Sequence, residues 1–519
     1  MHAAGPVPED RDPERWPPAA ALTQAVSDLG RSSGWDAAAA LIREQWDRYA
    51  ATAPQHLLEA ISVLPGRVLL DKSDLVAGAI SLRQATGETG SHRFDHDHGL
   101  AARPAAAASG LAEELILLTD AATNARTKGD VEHALQLAVQ ARHRLDAALR
   151  DAHQRREVGD ITANLPHLLV QWGRSLEAAD ADDASREYED AHHFALATNQ
   201  SQIARRAAAH LAWHHAEHGR IRIAEEWLGK ATTIGQKNPQ YEAITHLAAA
   251  LVLLEHGDRL SAGVELARAR AYPTGEYWAG ALWLRSLHAT SPDEFALVAT
   301  EVADETERHP PSTRGPVDAR YLRATHLTIG LTPDAAPPTH PTKFDRLLDA
   351  VNAFARGAFE DTLQLAQHPG AATAIPRVRS TALLLSALAA LALEWRPRAV
   401  EFFQRATAIL DHEGLTTPYR MLPPDVLDYF SAATGRTITA EAGGEPAIIG
   451  MALSSLTPRE RQILALLTTA SPAKDIAAAL FISPNTVKAT TQRLYRKLNV
   501  TSRREAADLA RRAGITPQP

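Results

Sequence analysis

The sequence predicts an all-α protein, built as a long series of helical hairpins followed by a small, separate four-helix domain. Three observations predict it. From about Ala19 to Phe430 apolar residues recur at helical spacing, broken only by short Gly/Asp/Pro punctuation, and no stretch alternates long enough to make a strand. Near the C-terminus two short amphipathic segments are separated only by Phe481, Ile482 and Ser483, a link so short that the helices must cross steeply as a helix-turn-helix. The charge is also divided. From Ser455 to the end there are eleven Lys/Arg against four Asp/Glu, a net of +7, whereas the whole chain of 519 residues carries −8, which leaves −15 on residues 1–454. A small basic domain on an acidic body implies a local site for a polyanion.

Length and composition bound the rest. A chain of 519 residues has room for two to four domains. It has no cysteine, so disulfides and thiolate metal sites are excluded, which suits a reducing cytosol. Met1–Ala20 is rich in Pro, Asp, Glu and Arg without an apolar centre, so it does not read as a signal peptide, and residues 1–18 are expected to be a disordered tail. No apolar run approaches the roughly eighteen residues a membrane span needs. A cytoplasmic, nucleoid-associated protein with no membrane partner is the expectation.

Leu111–Arg126 and Val131–Leu149 flank a turn at Lys128-Gly129-Asp130; Ile203–Glu217 and Ile221–Ile234 flank Gly219-Arg220; Glu242–Glu255 and Leu260–Ala271 flank Gly257-Asp258. Lys343–Arg356 pairs with Phe359–Gln367 about Gly357, and Ser380–Leu393 with Ala399–Asp411 about Arg396-Pro397. Gly219 to Gly257 spans 38 residues and Gly357 to Pro397 spans 40, between the tetratricopeptide period of about 34 and the longer helical repeats of about 40–47. Small residues fall where paired helices would touch: Ala134 and Ala138, Ala207 and Ala208, Ala355 and Ala358. These units resemble tetratricopeptide repeats, and stacking them into an α-solenoid would bury the apolar surface on both sides of each hairpin. An irregular helical domain without a true repeat is the competing arrangement, since no unit keeps the full signature. Gly87–Ser109, His309–Gly315 and Leu331–Pro341 break the pattern, and residues 431–454 read as a linker between a body at 19–430 and a domain at 455–519.

Start signals alone divide the C-terminal domain into four helices. Thr457-Pro458-Arg459-Glu460 is a capping box with proline at the first helical position, followed by an Ile463, Leu464, Leu467 stripe. Ser471-Pro472 opens a helix carrying Ile476, Ala477 and Leu480. Ser483-Pro484 opens a third, with a stripe of Val487, Leu494 and Leu498 and Thr491 between them, and Ser502-Arg503-Arg504-Glu505 opens a fourth. Opposite the third helix's stripe lie Lys488, Ala489, Gln492 and Arg496, flanked by Arg493 and Lys497, the face that would enter a DNA major groove.

On LTPRE (456–460), KDIA (474–477), LFIS (480–483), TVK (486–488), RLYRKLNV (493–500) and SRREA (502–506), this segment resembles the LuxR-type helix-turn-helix domain of bacterial transcription regulators. It departs from that pattern at Ala470, Ala473 and Thr490, where glycine, asparagine and histidine are usual. The resemblance implies double-stranded DNA as partner. Lys488, Ala489 and Gln492 would meet base edges; residue type agrees, since lysine donates to guanine, glutamine pairs with adenine and alanine meets a thymine methyl. Ser483, Asn485, Thr486, Arg493, Arg496, Lys497 and Lys474 would hold phosphates. It further implies a homodimer on DNA through the fourth helix, with Val500, Ala506, Leu509 and Ala510 at the contact, and, as in most of the family, activation with RNA polymerase as a partner.

A solenoid before such a domain resembles the C-terminal part of MalT-like regulators, but their ATP-binding module is not seen: no GxxxxGK[ST] occurs, and Gly229-Lys230-Ala231 lacks the upstream glycine and the hydroxyl. No βαβ alternation supports a phosphate receiver. No cofactor is expected. His92, Asp95, His96, Asp97 and His98 could chelate a metal but read as a solvated loop; His210, His214 and His218 share one helix face, read as an exposed or concave solenoid surface; Asp180, Asp182 and Asp183 read as a capping turn. No spacing promotes a catalytic group, so the protein is not expected to be an enzyme. The reading is a transcription regulator whose body senses an unknown effector or protein partner. The alternative is a scaffold whose C-terminal domain docks proteins; a metal enzyme built on the histidine helix is a third.

Overall fold

The computed structural model describes residues 18–50, 52–65, isolated positions between 68 and 82, 110–151, 161–162, 164–181, 183–234, 242–272, 274–311, 314–329, 343–355, 358–368, 375–422, 424–438, 458–469, 471–498, 500 and 502–512. Among them lie 23 α-helices and no strand. The body contains α1 (Ala19–Ser32), α2 (Trp35–Tyr49), α3 (Pro54–Ser62), α4 (Leu111–Thr127), α5 (Val131–Arg150), α6 (Leu165–Ala178), α7 (Ala184–Ala197), α8 (Ser201–His218), α9 (Ile221–Thr233), α10 (Glu242–Glu255) and α11 (Arg259–Ala269). It continues with α12 (Trp278–His288), α13 (Pro292–Arg308), α14 (Pro316–Thr328), α15 (Lys343–Ala355), α16 (Phe359–Ala366), α17 (Pro376–Ala392), α18 (Arg396–Glu413) and α19 (Pro424–Thr434). The C-terminal domain holds α20 (Pro458–Leu467), α21 (Ala473–Ala479), α22 (Pro484–Lys497) and α23 (Arg503–Arg512).

Consecutive helices pair as hairpins, and local chemistry makes the turns. Gly129 (φ +83°) ends α4, and the Asp130 carboxylate accepts from the His133 amide at 3.2 Å to start α5. Gly257 (φ +74°) and Asp258, accepting from the Ser261 amide at 3.0 Å, repeat the device between α10 and α11. Ala134, Ala138, Ala207 and Ala208 are fully buried between paired helices, as their small size allows. Ala355 falls where no side chain is described. In the α6–α7 hairpin, a Cβ on Gly173 would stand 2.5 Å from the Tyr188 ring, so only glycine permits that approach.

Several sequence expectations change. Arg396-Pro397 is not a turn: proline sits in the first turn of α18, where its missing N–H costs nothing, and the chain reverses at Leu393–Trp395 with Glu394 at φ +62°. The α6–α7 hairpin was hidden because its reversal uses Asp180 at φ +56° in place of glycine. Asp180 is no cap; its carboxylate takes a hydrogen bond at 3.2 Å from Arg320 of α14, and Asp183 caps nothing with its side chain. The body also outlasts residue 430. α19 runs to Thr434 and Arg436 donates to Thr407 and Asp411, so the expected linker at 431–454 begins later. The tail at 1–17, the cluster from His92 to His98 and Asp182 lie outside the described residues.

The histidines of α8 are not on an exposed face. His210 and His214 are 2% and 5% exposed, because α7, α9 and α10 surround α8 and bury it almost continuously from Ala204 to Glu217. His210 Nδ1 is 2.6 Å from the Tyr277 hydroxyl, and its ring stacks on Tyr188. Burial holds the imidazoles neutral, with His215 pushed down to about 4 and His218 to about 3. Among the described residues no group of three or more His, Asp or Glu side chains is arranged to hold a metal.

The interior is also crossed by buried ion pairs between helices distant in sequence. Arg205 of α8 makes a two-pronged pair with Glu242 of α10 at 2.9 and 2.8 Å. Arg126 and Arg174 converge on Glu276, and Arg320 of α14 pairs with Glu217 of α8. Such pairs fix which helices meet more than they add stability, since desolvation offsets most of their attraction.

Candidate nucleic-acid interface

The C-terminal domain has its own core of Ile463, Leu464, Leu467, Ile476, Ala477, Val487, Leu494, Leu498, Ala506 and Ala510. The turn between α21 and α22 closes as a Schellman motif. The Phe481 amide donates to Ala478 O at 3.2 Å and the Ile482 amide to Ala477 O at 3.0 Å, with Phe481 in the left-handed region at φ +55°. That geometry leaves Phe481 97% exposed. Arg459 of α20 donates to Leu480 O and ties the turn to the first helix. Ser483 then caps α22, its hydroxyl accepting from the Thr486 amide at 3.1 Å, with Pro484 beginning the helix.

The helical period divides α22 into two faces. Val487, Thr490, Leu494 and Leu498 are at most 4% exposed, while Asn485, Thr486, Lys488, Ala489, Gln492 and Arg493 are exposed. The buried stripe therefore passes through Thr490; Thr491 is only half-buried. Thr490 faces the interior, its hydroxyl accepting from Arg493 Nη2 at 3.3 Å. Exposed Ser483 stands at the α22 N-terminus, where free amides favour an anion, and exposed Lys474 lies in the first turn of α21. The side chains of Arg496, Lys497 and Leu509, and the capping residue Thr457, lie outside the described residues.

α23 is placed by Ser502, which accepts from the Glu505 amide at 3.2 Å, and by Arg503. Arg503 Nη2 donates to Thr469 O at 2.7 Å and Ser471 O at 2.6 Å, clamping the α20–α21 link. The sequence shows Arg503 only as part of a capping box. Ala506 and Ala510 are fully buried and pack against this chain's own α20, and Val500 is half-buried against the same core. Val500, Ala506 and Ala510 are three of the four residues expected at a two-fold contact.

Residues 454–510 match the model of the family described as bacterial regulatory proteins, luxR family. The regulator YhjB of Escherichia coli, named an HTH-type transcriptional regulator, is 47% identical over 55 residues, which are 11% of this chain and 28% of that protein. Proteins with the same kind of name from Mycobacterium bovis and Mycobacterium tuberculosis are 43% identical over 60 residues, 12% of this chain and 7% of theirs. The chain thus spans less than a third of the length of each of these relatives.

Proposed function

On the premise of a luxR-family helix-turn-helix domain at residues 454–510, we propose that the chain is a sequence-specific DNA-binding transcription regulator, not an enzyme, whose helical body senses an effector or partner. The observation that carries this reading is the division of α22, with Lys488, Ala489 and Gln492 presented together to solvent opposite a fully packed stripe. Lys488 donates to guanine O6 and N7, Gln492 pairs two-pronged with adenine, and Ala489 meets a thymine methyl. Ser483, Asn485, Thr486, Arg493 and Lys474 hold phosphates and set the register, and Arg496 and Lys497 join them by their place in the helix.

The active form on DNA is a homodimer reading half-sites about one helical turn apart. With Ala506 and Ala510 taken by the core, its contact uses the outer flank of α23, where Arg504 and Glu505 are exposed. The regulator activates transcription by contacting RNA polymerase, in a cytoplasm where the nucleoid is accessible to it. The test is genome-wide capture of DNA by the full chain and by a 450–519 fragment. Discrete sites shared by both support the reading; sites only with the fragment mean that the body inhibits. Absence of sequence-selective capture by either refutes it in favour of a docking scaffold.

A further inference from the structure

A cavity of about 220 Å³ lies in the body between α12, α14, α15 and α17, with the 3₁₀ turn Thr417–Met421 along one side. We propose that it binds an uncharged, largely hydrocarbon small molecule about the size of naphthalene. This deepens, and rests on, the reading that the body is the sensing part of the protein.

Wall chemistry sets the class of occupant. Trp283, Leu327, Phe344, Leu348, Val351 and Met421 line the space, and each is only half-buried, so large apolar side chains from four elements are left incompletely covered around one hole. The charged groups that line it are already committed to partners. Arg320 pairs with Glu217 and Asp180, and its guanidinium lies 4.3 Å from the Phe344 ring centroid. Arg377 pairs with Glu255 and donates to Glu217 O and Ala216 O. Arg420 donates to the main-chain carbonyls of Leu287 and Ala289. An ion entering the space would have to compete with these partners, and a charge taken out of water without a partner of its own is costly. An uncharged apolar molecule covers the exposed side chains and breaks none of these pairs.

Size sets the scale. Protein interiors leave few voids larger than a water, and a water needs several polar partners, which apolar walls do not offer. An apolar cavity of ~150 Å³ accepts benzene, and this one is about half as large again, which gives room for a second fused ring. The cavity also lies on a seam. Its α14 wall includes Tyr321 of the main core, whereas Leu347 on α15 belongs to a second, smaller core with Ala350, Val378 and Leu385. Phe354 and Met421 pack against both. An occupant there bridges two separately packed units, so binding bears on how the α15–α16 hairpin sits against the preceding helices.

The test is calorimetric titration of the full chain, without DNA, with 2-naphthylmethanol, its charged analogues 2-naphthoate and 2-naphthylmethylammonium, and the single-ring benzyl alcohol. The naphthyl alcohol is expected to bind saturably at one site with a negative heat-capacity change, about tenfold or more tighter than each of the other three. Ala324→Trp places a ring at a half-buried lining position and should abolish binding. Leu327→Phe, a smaller change, should weaken it and serves if the first variant melts early. Failure of the naphthyl alcohol to bind, either ion bound as tightly, or binding unchanged by both variants overturns the proposal. Genome-wide capture of DNA repeated with the alcohol present reads the sensing role separately. Sites unchanged by a compound that binds refute that role and leave the cavity assignment standing.

Discussion

Replacing Glu255 with alanine should be among the most damaging single changes in the body. Glu255 ends α10 and is 1% exposed. Its Oε1 accepts from Arg377 Nη1 at 2.6 Å and from the Thr417 hydroxyl at 2.5 Å, and its Oε2 accepts from the amides of Thr416 and Thr417, both at 2.8 Å. Arg377 itself reaches back to the last turn of α8, donating to Glu217 O and Ala216 O at 2.9 Å each. One carboxylate therefore joins the ends of α8 and α10, the start of α17 and the 3₁₀ turn. Alanine strands a buried guanidinium, the buried Thr417 amide and the part-buried Thr416 amide. Breaking a buried pair from one side costs about 3–5 kcal/mol, a large fraction of the ~5–15 kcal/mol that holds a typical fold. Urea unfolding of the full chain, followed by tryptophan emission, should show the body's midpoint falling by roughly 1–2 M for a slope near 3 kcal/mol/M. Glu255→Gln, which keeps an acceptor, should fall between. The double variant Arg377→Met/Glu255→Met should recover part of the loss, because no lone charge remains buried. A loss under about 1 kcal/mol for Glu255→Ala, or a double variant worse than the two singles added, would refute the reasoning.

Four further outcomes are expected. Lys488→Ala should leave the melting temperature unchanged and weaken operator binding by about 1–3 kcal/mol, roughly 5- to 150-fold in a footprinting titration; unchanged affinity would mean that α22 does not read bases as assigned. Arg493→Ala should weaken binding to all sequences alike and lower the salt slope by about one. Ala506→Arg should unfold the 450–519 fragment in circular dichroism, because the site is fully buried; a folded but monomeric variant would return Ala506 to a subunit contact. Acid should also destabilise the body. His210, His214, His215 and His218 are held below the ordinary histidine value by burial, with His215 at about 4. The unfolded chain therefore binds more protons below pH 6.5, and stability is lost as pH falls from there towards 4, by about 1.4 kcal/mol per pH unit for each such group. Asp318, raised to about 7 by burial, runs the other way between its unfolded value and pH 7, and so in direction do Glu187 and Glu217. The histidines outnumber them, so urea midpoints at pH 7, 6 and 5 should fall in that order; His214→Leu with His215→Leu should flatten the series.

The all-α class, most hairpins and the reading helix are legible in the amino-acid sequence, because they rest on local chemistry. A glycine at positive φ, an aspartate or serine at a cap and a 3.6-residue period act within a few residues of themselves. Gly129-Asp130, Gly257-Asp258 and Ser483-Pro484 are therefore legible as written. Where a turn used an ordinary residue in the left-handed region, as at Asp180 and Glu394, the signal was absent and the hairpin was missed or misplaced. Which faces are covered, and by what, emerges only from the packing of the helices. The histidines of α8 lost their expected exposure because three other helices surround them. Ala506 and Ala510 proved to be core because α20 folds onto α23. The Glu255–Arg377 lock and the cavity beside it join residues more than a hundred positions apart. No local pattern encodes such contacts, since burial and charge pairing over that separation are settled only when the helices pack.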